Sequence, residues 1–196
     1  YFWEGADQNS GMARERNTSG TTVTTGGTGF GLMAMIVAVE RGFISRTEAL
    51  ERWNQIFNFL RDAERFHGAW SHWIDGATGN VRPFSQKDNG ADLVETAFLV
   101  QGMLTVRQYL SPSIPEELEL IDLIDDLWRE VEWDWFTKSE ENVLYWHWSP
   151  EYEWEINLPI RGHNETQIIY VLAASSPDHG IEEAVYDEGY ARSGDM

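Results

Sequence analysis

The sequence predicts an all-α protein arranged as an α/α toroid, and three observations support this fold class. Segments that are apolar on every side alternate with amphipathic segments along the chain. Successive apolar segments begin about 60–75 residues apart, which indicates a repeated helical hairpin. Connections from an apolar to an amphipathic segment are short, whereas connections to the next apolar segment are long. The long loops should therefore gather at one end of the molecule, where the inner helices begin.

The apolar segments are predicted to form the inner helices, because a helix that is apolar all round is a buried one. They cover about residues 28–40, 91–110 and 163–175. The amphipathic segments cover about residues 45–66 and 115–136, and each has a single apolar stripe. We therefore expect them to be outer helices with one face in solvent.

Capping boxes mark the points where the two outer helices should begin. Ser45 with Glu48, and Ser113 with Glu116, have the spacing at which each side chain caps the backbone N–H of the other residue. A further short helix is expected at about 182–190, after the last inner helix. The sequence thus predicts three inner helices and at least two outer ones.

Three long loops, residues 1–25, 67–89 and 137–162, lead into the inner helices. The second should contain a hairpin around residues 76–80. The loops combine Trp with His, Asp and Asn, and indole rings stack on the apolar faces of sugars while polar groups bind the hydroxyls. This composition favours a carbohydrate site, although buried Trp side chains could instead fill the loop cores. The candidate sugar platforms are Trp70, Trp73, Trp146 and Trp148.

Three carboxylates, Asp88, Asp92 and Glu95, lead into the central inner helix and would lie on one face of its first turns. Repulsion between such like charges costs about 0.2–0.5 kcal/mol per pair. The positive end of the helix dipole favours each carboxylate by about 0.3–1 kcal/mol, so stability alone does not explain the cluster.

The cluster has two interpretations. In the first, the acids cap the helix and pair with Lys87 or Arg82. In the second, they open on a cavity and do acid–base chemistry, with shifted pKa values as the expected sign. The buried helix behind the acids and the aromatic loops around them favour the second interpretation. A carboxylate metal site formed by Asp88, Asp92 and Glu95 is a less favoured alternative.

Composition excludes several classes of partner. The chain has 196 residues, 42% of them hydrophobic, and a formal net charge of -19. It can bury a core, but it lacks the basic clusters that nucleic acid or an anionic membrane would require. No apolar run is long enough for a membrane span, no cysteine is present, and no histidine pair has metal-binding spacing, so we expect no cofactor and no metal. The sequence begins at Tyr1 without a signal peptide, so we expect that any targeting segment is absent or was removed.

The chain also carries motifs of a known family. Examples are HGAWSHW at residues 67–73, KDNGADLVETAFLV at 87–100 and GHNETQIIYVLAASSP at 162–177. On these motifs the sequence resembles the glucoamylase-like bacterial proteins, which include endo-β-1,2-glucanases and are similar to the central domain of cyclic β-1,2-glucan synthases. The stretches that carry the resemblance are residues 1–16, 23–35, 66–74, 87–100, 128–136, 143–150 and 159–177.

The resemblance implies that the chain is the N-terminal half of a single (α/α)6 toroid about twice this length. The C-terminal half of the toroid would then be its missing partner. It also implies a glycoside hydrolase acting on a β-glucan, β-1,2-linked, with inversion at the anomeric carbon. A transglycosylase on the same glucan and a non-catalytic carbohydrate-binding scaffold remain alternatives. A periplasmic or secreted location is expected from the same resemblance.

The resemblance further implies roles for individual residues. The catalytic acids would be Asp88, Asp92, Glu95 and Glu165, with Glu165 as the proton donor in the first turn of the last inner helix. The catalytic base would come from the half that this chain lacks. Beside the four candidate platforms, the residues expected to bind an oligo- or polysaccharide are His72, Asn89, His147, His163, Asn164, Arg14 and Glu15.

Overall fold

The computed structural model describes residues 1–139 and 141–195, and its main elements are five helices. The predicted alternation of inner and outer helices is confirmed, although most boundaries move by a few residues. The first helix begins at the end of a strand, and the last begins after residue 166. In chain order the helices are α1 (Thr25–Glu40), α2 (Arg46–Asp62), α3 (Leu93–Tyr109), α4 (Pro115–Arg129) and α5 (Gln167–Ser175).

The inner helices α1, α3 and α5 form one layer, in which α3 lies between the other two. Glycines allow α1 and α3 to approach closely. A Cβ atom on Gly29 would lie only 2.1 Å from the carbonyl oxygen of Phe98, and one on Gly102 only 2.3 Å from the carbonyl oxygen of Gly29. Only glycine fits such backbone-to-backbone contact. The central position of α3 therefore follows from small residues on two neighbouring helices.

The outer helices α2 and α4 pack on each other and on the inner layer. The capping box at the start of α2 is confirmed, since Ser45 and Glu48 exchange both hydrogen bonds. The second predicted box is wrong, because the residue before α4 is Ile114, which makes no side-chain cap. Pro115 begins that helix instead, which is favourable because proline lacks the N–H that the first helical turn leaves unpaired. The predicted end of α4 at residue 136 is also wrong.

Two small antiparallel sheets lie in the long loops. β1 (Thr22–Thr24), β2 (Trp73–Asp75) and β3 (Val81–Arg82) form the first, so the predicted hairpin is confirmed and gains a strand from the N-terminal loop. β4 (Ala91–Asp92) and β5 (His147–Trp148) form the second, with Asp92 opposite His147. The second sheet joins two loops that are about 55 residues apart in the sequence.

The prediction that the inner helices are buried on every side is wrong for α1 and α5, whereas the apolar residues of α3 are largely buried. Phe30 and Val37 on α1 are 49% and 57% exposed, and Val171 on α5 is 52% exposed. Each of these two helices is covered by α3 on one flank only. The apolar pattern of these two helices therefore extends beyond the surfaces that the described part of the chain covers.

The chain after α5 contains a short π-helix over Val185–Tyr190, where the sequence predicts a short helix at about 182–190. None of the helices in the part of the chain that the structure describes is both long enough and apolar enough to cross a membrane.

Candidate active site

Asp92 lies at the centre of the predicted acid cluster and is fully buried. Its Oδ1 accepts hydrogen bonds from the backbone N–H groups of Val94 and Glu95, each at 3.0 Å, so it caps α3. Its Oδ2 lies 3.0 Å from Nδ1 of His72, a residue that precedes β2. The capping interpretation is thus correct for Oδ1 of this carboxylate, whereas Oδ2 contacts a histidine.

The β4–β5 pairing brings His147 against two of the acids. Nε2 of His147 lies 3.4 Å from Oδ2 of Asp88 and 3.6 Å from Oδ2 of Asp92. Nδ1 of the same ring is buried and has no hydrogen-bond partner among the described residues. Two histidines and two carboxylates therefore share one small volume at the beginning of the central helix.

Glu95 joins the site from the first turn of α3. Its Oε2 accepts a hydrogen bond from the backbone N–H of Gly26 at 2.9 Å, which ties α3 to the beginning of α1. A Cβ atom at position 26 would lie 2.6 Å from the same oxygen, so a glycine is needed for this contact. The role of Gly26 cannot be predicted from the sequence, because nothing local in a Gly/Thr stretch shows which carboxylate its backbone N–H will contact.

Burial and mutual repulsion shift the protonation of this cluster. Burial, helped by the negative charges of Asp92 and Glu95, raises the pKa of Asp88 to about 6. Burial and the charge of Asp92 also raise the pKa of Glu95. Burial alone would lower the pKa of His72, but the hydrogen bond to Asp92 and the nearby carboxylates outweigh it, so that pKa is raised. These shifts are the sign that the acid–base interpretation requires.

The basic residues next to the cluster bind other partners. Lys87 pairs with Glu155, and Arg82 pairs with Asp75. The pairing with Lys87 or Arg82 that the capping interpretation included is therefore wrong. The side chains that face the carboxylates are His72, whose pKa is raised, and His147, whose pKa burial lowers.

One set of residues in the described part of the chain could share a cation. His72, Asp88 and Asp92 each offer one ligand atom, and these three atoms lie within 4.8 Å of one another. Glu95, which the alternative metal site included, is not in this set. In this structure His72 and Asp92 are joined by a hydrogen bond, so two of the three groups contact each other directly.

The four predicted sugar platforms occupy different environments. Trp70 is fully buried, and its Nε1 donates to the carbonyl oxygen of Leu60, so the expected contact with substrate does not fit its position. Trp146 stacks on His147, and Trp148 packs edge-on against Trp135. Both are half-buried, as is Trp73. Only the last three can still reach a ligand.

Replacing Trp70 and Trp73 by alanine should distinguish a tryptophan of the core from one that binds sugar. Trp70→Ala should lower the free energy of unfolding by about 3–5 kcal/mol, because it leaves a large cavity in the core. Trp73→Ala should change that free energy by less than about 1 kcal/mol and weaken sugar binding instead. Urea denaturation beside a binding titration on each variant measures both effects. Equal losses of stability in the two variants would contradict this assignment.

Glu15 and Asn89 are two further residues predicted to bind substrate. The hydrogen bond and the charge of Arg16, and more weakly the charge of His72, lower the pKa of Glu15. Asn89 accepts a hydrogen bond from Ser149 at 2.6 Å and donates to Glu151, so it holds two loops together. Asn89 therefore shapes the site, as far as the described residues show.

Arg14 is half-buried, and its Nε has no hydrogen-bond partner among the described residues. The unpaired Nε–H of this arginine can still donate a hydrogen bond to a ligand, because all N–H groups of arginine are donors. Its predicted contact with substrate therefore stays a prediction.

His163, Asn164 and Glu165 lie just before α5 and are exposed. The helix begins at Gln167, so the expectation that Glu165 lies in its first turn is wrong. Asn164 is bound by Tyr190, whose hydroxyl accepts from its N–H at 3.1 Å, and no described contact joins the three residues to the acid cluster. Their predicted roles in binding and proton transfer stay predictions.

Two cavities of about 880 Å³ and 730 Å³ lie elsewhere in the structure. The larger is lined by residues that include Trp135 and Trp154, and the smaller lies between α2 and α4. None of the four predicted catalytic acids lines either cavity. Because burial, charge and histidine contacts all converge on the acid cluster, we take that cluster as the candidate active site.

Comparison with solved structures places this fold among glucan-degrading enzymes. An endo-β-1,2-glucanase from Chitinophaga pinensis, in complex with sophorotriose and glucose, is 53% identical with a TM-score of 0.96. The match covers 100% of this chain and 49% of that one. A candidate glucoamylase from Bacteroides caccae ATCC 43185 is 52% identical with a TM-score of 0.96, over 99% of this chain and 49% of that one.

A curated relative is also similar. The exo β-1,2-glucooligosaccharide sophorohydrolase (non-reducing end) of Parabacteroides distasonis is 49% identical over 195 residues, which are 97% of this chain and 27% of that protein. No known family profile matches the chain. The chain thus spans about half the length of the solved structures named above. The resemblance to the glucoamylase-like proteins is confirmed, and the chain corresponds to about half of one of their (α/α)6 toroids.

Proposed function

We propose that this chain is part of a glycoside hydrolase that cleaves β-1,2-linked glucan. The observation that carries the proposal is the buried cluster of Asp88, Asp92 and Glu95 with two histidines at the beginning of the central inner helix. Relatives with this fold act on β-1,2-linked glucans, as their names state. A neutral polysaccharide also suits a chain with a net charge of -19, since it brings no charge to repel.

The distance between Asp88 and Asp92 indicates that they are not the two members of an acid–base pair. Inverting glycosidases place the acid and the base about 6.5–9.5 Å apart, and retaining enzymes about 5–5.5 Å apart. Carboxylate oxygens of Asp88 and Asp92 lie within 4.8 Å of each other, too close for a sugar and a water between them. These two residues therefore belong to one wall of the site. The opposing member of an acid–base pair has to come from another element.

Glu165 is our candidate for the proton donor that opposes this wall, with the base supplied by the other half of the toroid. A carboxyl that donates a proton near neutral pH needs shielding from water or negative neighbours. Glu165 is exposed in this chain. Its proposed role therefore requires that substrate or the rest of the toroid covers the segment before α5.

The exposed faces of α1 and α5 support the existence of that second half. Phe30 and Val37 on α1 and Val171 on α5 are each about half exposed. We propose that the remaining helices of an (α/α)6 ring cover these faces in the full-length protein. This arrangement would also close a cavity above the acid cluster.

A consequence can be measured on the isolated chain. Because apolar side chains remain uncovered on two inner helices, the 196-residue chain alone should self-associate and bind a hydrophobic dye. Gel filtration and dye fluorescence test this, with the full-length protein as the control. A monodisperse monomer that binds no dye would show that the chain is a closed fold by itself.

The experiment that tests the proposed function is a glycan screen of the full-length protein with analysis of product anomers. Cleavage of β-1,2-glucan with release of the inverted anomer supports the proposal. Transfer products without new reducing ends would identify a transglycosylase, and binding without cleavage would identify a carbohydrate-binding scaffold. The periplasmic or secreted location also stays a proposal, which cell fractionation would test.

A further inference from the structure

Phe84 is an exposed aromatic residue beside the acid cluster that has no assigned role. It lies after β3 and is 50% exposed. Its ring centroid is 4.4 Å from that of His72 and 4.8 Å from that of Trp73. His72 in turn contacts the buried Asp92. One side of the phenyl ring therefore packs on the group that holds a candidate catalytic acid, and the rest of the ring faces solvent.

Hydrogen bonds fix the position of this ring relative to Asp88. The backbone N–H of Phe84 donates to the carbonyl oxygen of Asp88 at 2.9 Å, and the N–H of Asp88 donates to the carbonyl oxygen of Ser85 at 3.2 Å. Gln86 donates to the hydroxyl of Tyr152 at 2.9 Å and holds the same loop from the other side. The loop thus presents an apolar ring in a fixed place, and a preorganised group loses little freedom when a ligand binds.

We propose that Phe84 is a substrate-contact residue on which one glucosyl unit stacks. This inference rests on the proposed function. The apolar C–H face of a glucose ring would lie on the exposed part of the phenyl ring, because aromatic rings bury large apolar areas with a defined geometry. The hydroxyls at the edge of the same unit would then lie toward Asp88. Phe84 therefore acts as a specificity-determining contact and has no part in proton transfer.

The competing role is structural, since the ring could only shield His72 from water. The two roles predict different changes. Loss of a sugar platform raises KM or Kd and leaves the pH profile of kcat unchanged. Loss of a shield changes the surroundings of His72 and moves the pH profile, while ligand affinity stays the same.

The test uses Phe84→Ala and Phe84→Tyr in the full-length protein, with Phe43→Ala as a matched control. Phe43 is 80% exposed in the segment between α1 and α2, away from the cluster. Steady-state kinetics on β-1,2-glucooligosaccharides and isothermal titration give KM, kcat and Kd. We expect Phe84→Ala to weaken binding about three- to tenfold, while Phe84→Tyr and Phe43→Ala stay near wild type with unchanged melting temperatures.

The outcomes distinguish this inference from the proposed function. An unchanged Kd and KM in Phe84→Ala, with wild type active on the same substrate, would overturn the platform role. A shifted pH profile at constant affinity would do the same and establish the shield. A wild-type protein that neither binds nor cleaves the glucan would instead overturn the proposed function itself.

Discussion

Asp88→Asn in the full-length protein should lower kcat/KM by about two to four orders of magnitude while making the protein more stable above pH 6. Asp88 has 7% of its surface exposed and lies against Asp92 and His147. An amide of the same size keeps the packing but cannot carry the negative charge that would stabilise the positive charge developing on the sugar ring in the transition state. The two expected effects have opposite signs, which a residue serving only stability would not show.

The sign of the stability change follows from the raised pKa. Burial and the neighbouring carboxylates raise the pKa of Asp88 to about 6, above its unfolded value of about 3.9. Below about pH 4 the Asp88 carboxyl is protonated in both the folded and the unfolded state, so it does not change the free energy of unfolding. As the pH rises from about 4 to 6 the unfolded state ionises first, so the folded state loses stability. Allowing for partial solvation, removing this group should add about 1–2 kcal/mol above pH 6.

Denaturation of the two proteins at pH 4 and pH 7, together with kinetics, measures both effects. The difference in unfolding free energy should be small at pH 4 and largest at pH 7. Asp125→Asn is the matched control, since that carboxylate lies on the outer helix α4 and pairs with Arg107 near the end of α3, at 2.6 Å. It should leave activity intact. A less stable Asp88→Asn protein with near-normal turnover would show that Asp88 serves stability and not chemistry.

Periodicity predicted the helices correctly because each apolar pattern is local to its own segment. The exposure of Phe30 and Val171 could not be predicted in the same way, since it depends on which elements pack beside α1 and α5 and not on the residues of each helix alone. The sequence predicts that α5 begins at residue 163, but residues 163–166 are polar and form turns. The apolar pattern of the helix does not show whether the polar residues before it are helical. Helix boundaries depend on caps, and caps depend on tertiary contacts.

The candidate site could also be predicted only in part, because some of its contacts are local in the sequence and others are not. Asp88, Asp92 and Glu95 were found because their spacing lies within one helix start. The contacts of His147 and Gly26 with these acids depend on pairing between distant segments, which spacing alone does not encode. Trp70 was assigned to the substrate because it shares a motif with His72, but the two side chains point to the core and to the acids respectively.

Glu165→Gln in the full-length protein should lower turnover by about two to four orders of magnitude while leaving folding and substrate binding near normal. Glutamine keeps the size of the side chain but has no proton to give. In this chain Glu165 is exposed and precedes the cap of α5, so its replacement should cost little stability. The loss of activity would therefore report on chemistry alone.

A substrate with a good leaving group separates proton donation from other roles of Glu165. An aryl glycoside of a β-1,2-glucooligosaccharide needs little protonation when the bond to the aryl group breaks, so it should restore much of the rate in Glu165→Gln. The same substrate should not rescue Asp88→Asn, because Asp88 lies on the other wall of the site. If Glu165→Gln keeps most of its activity while Asp92→Asn or Glu95→Gln abolishes it, the proton donor belongs to the beginning of α3. The buried cluster with its raised pKa values would then hold the proton itself.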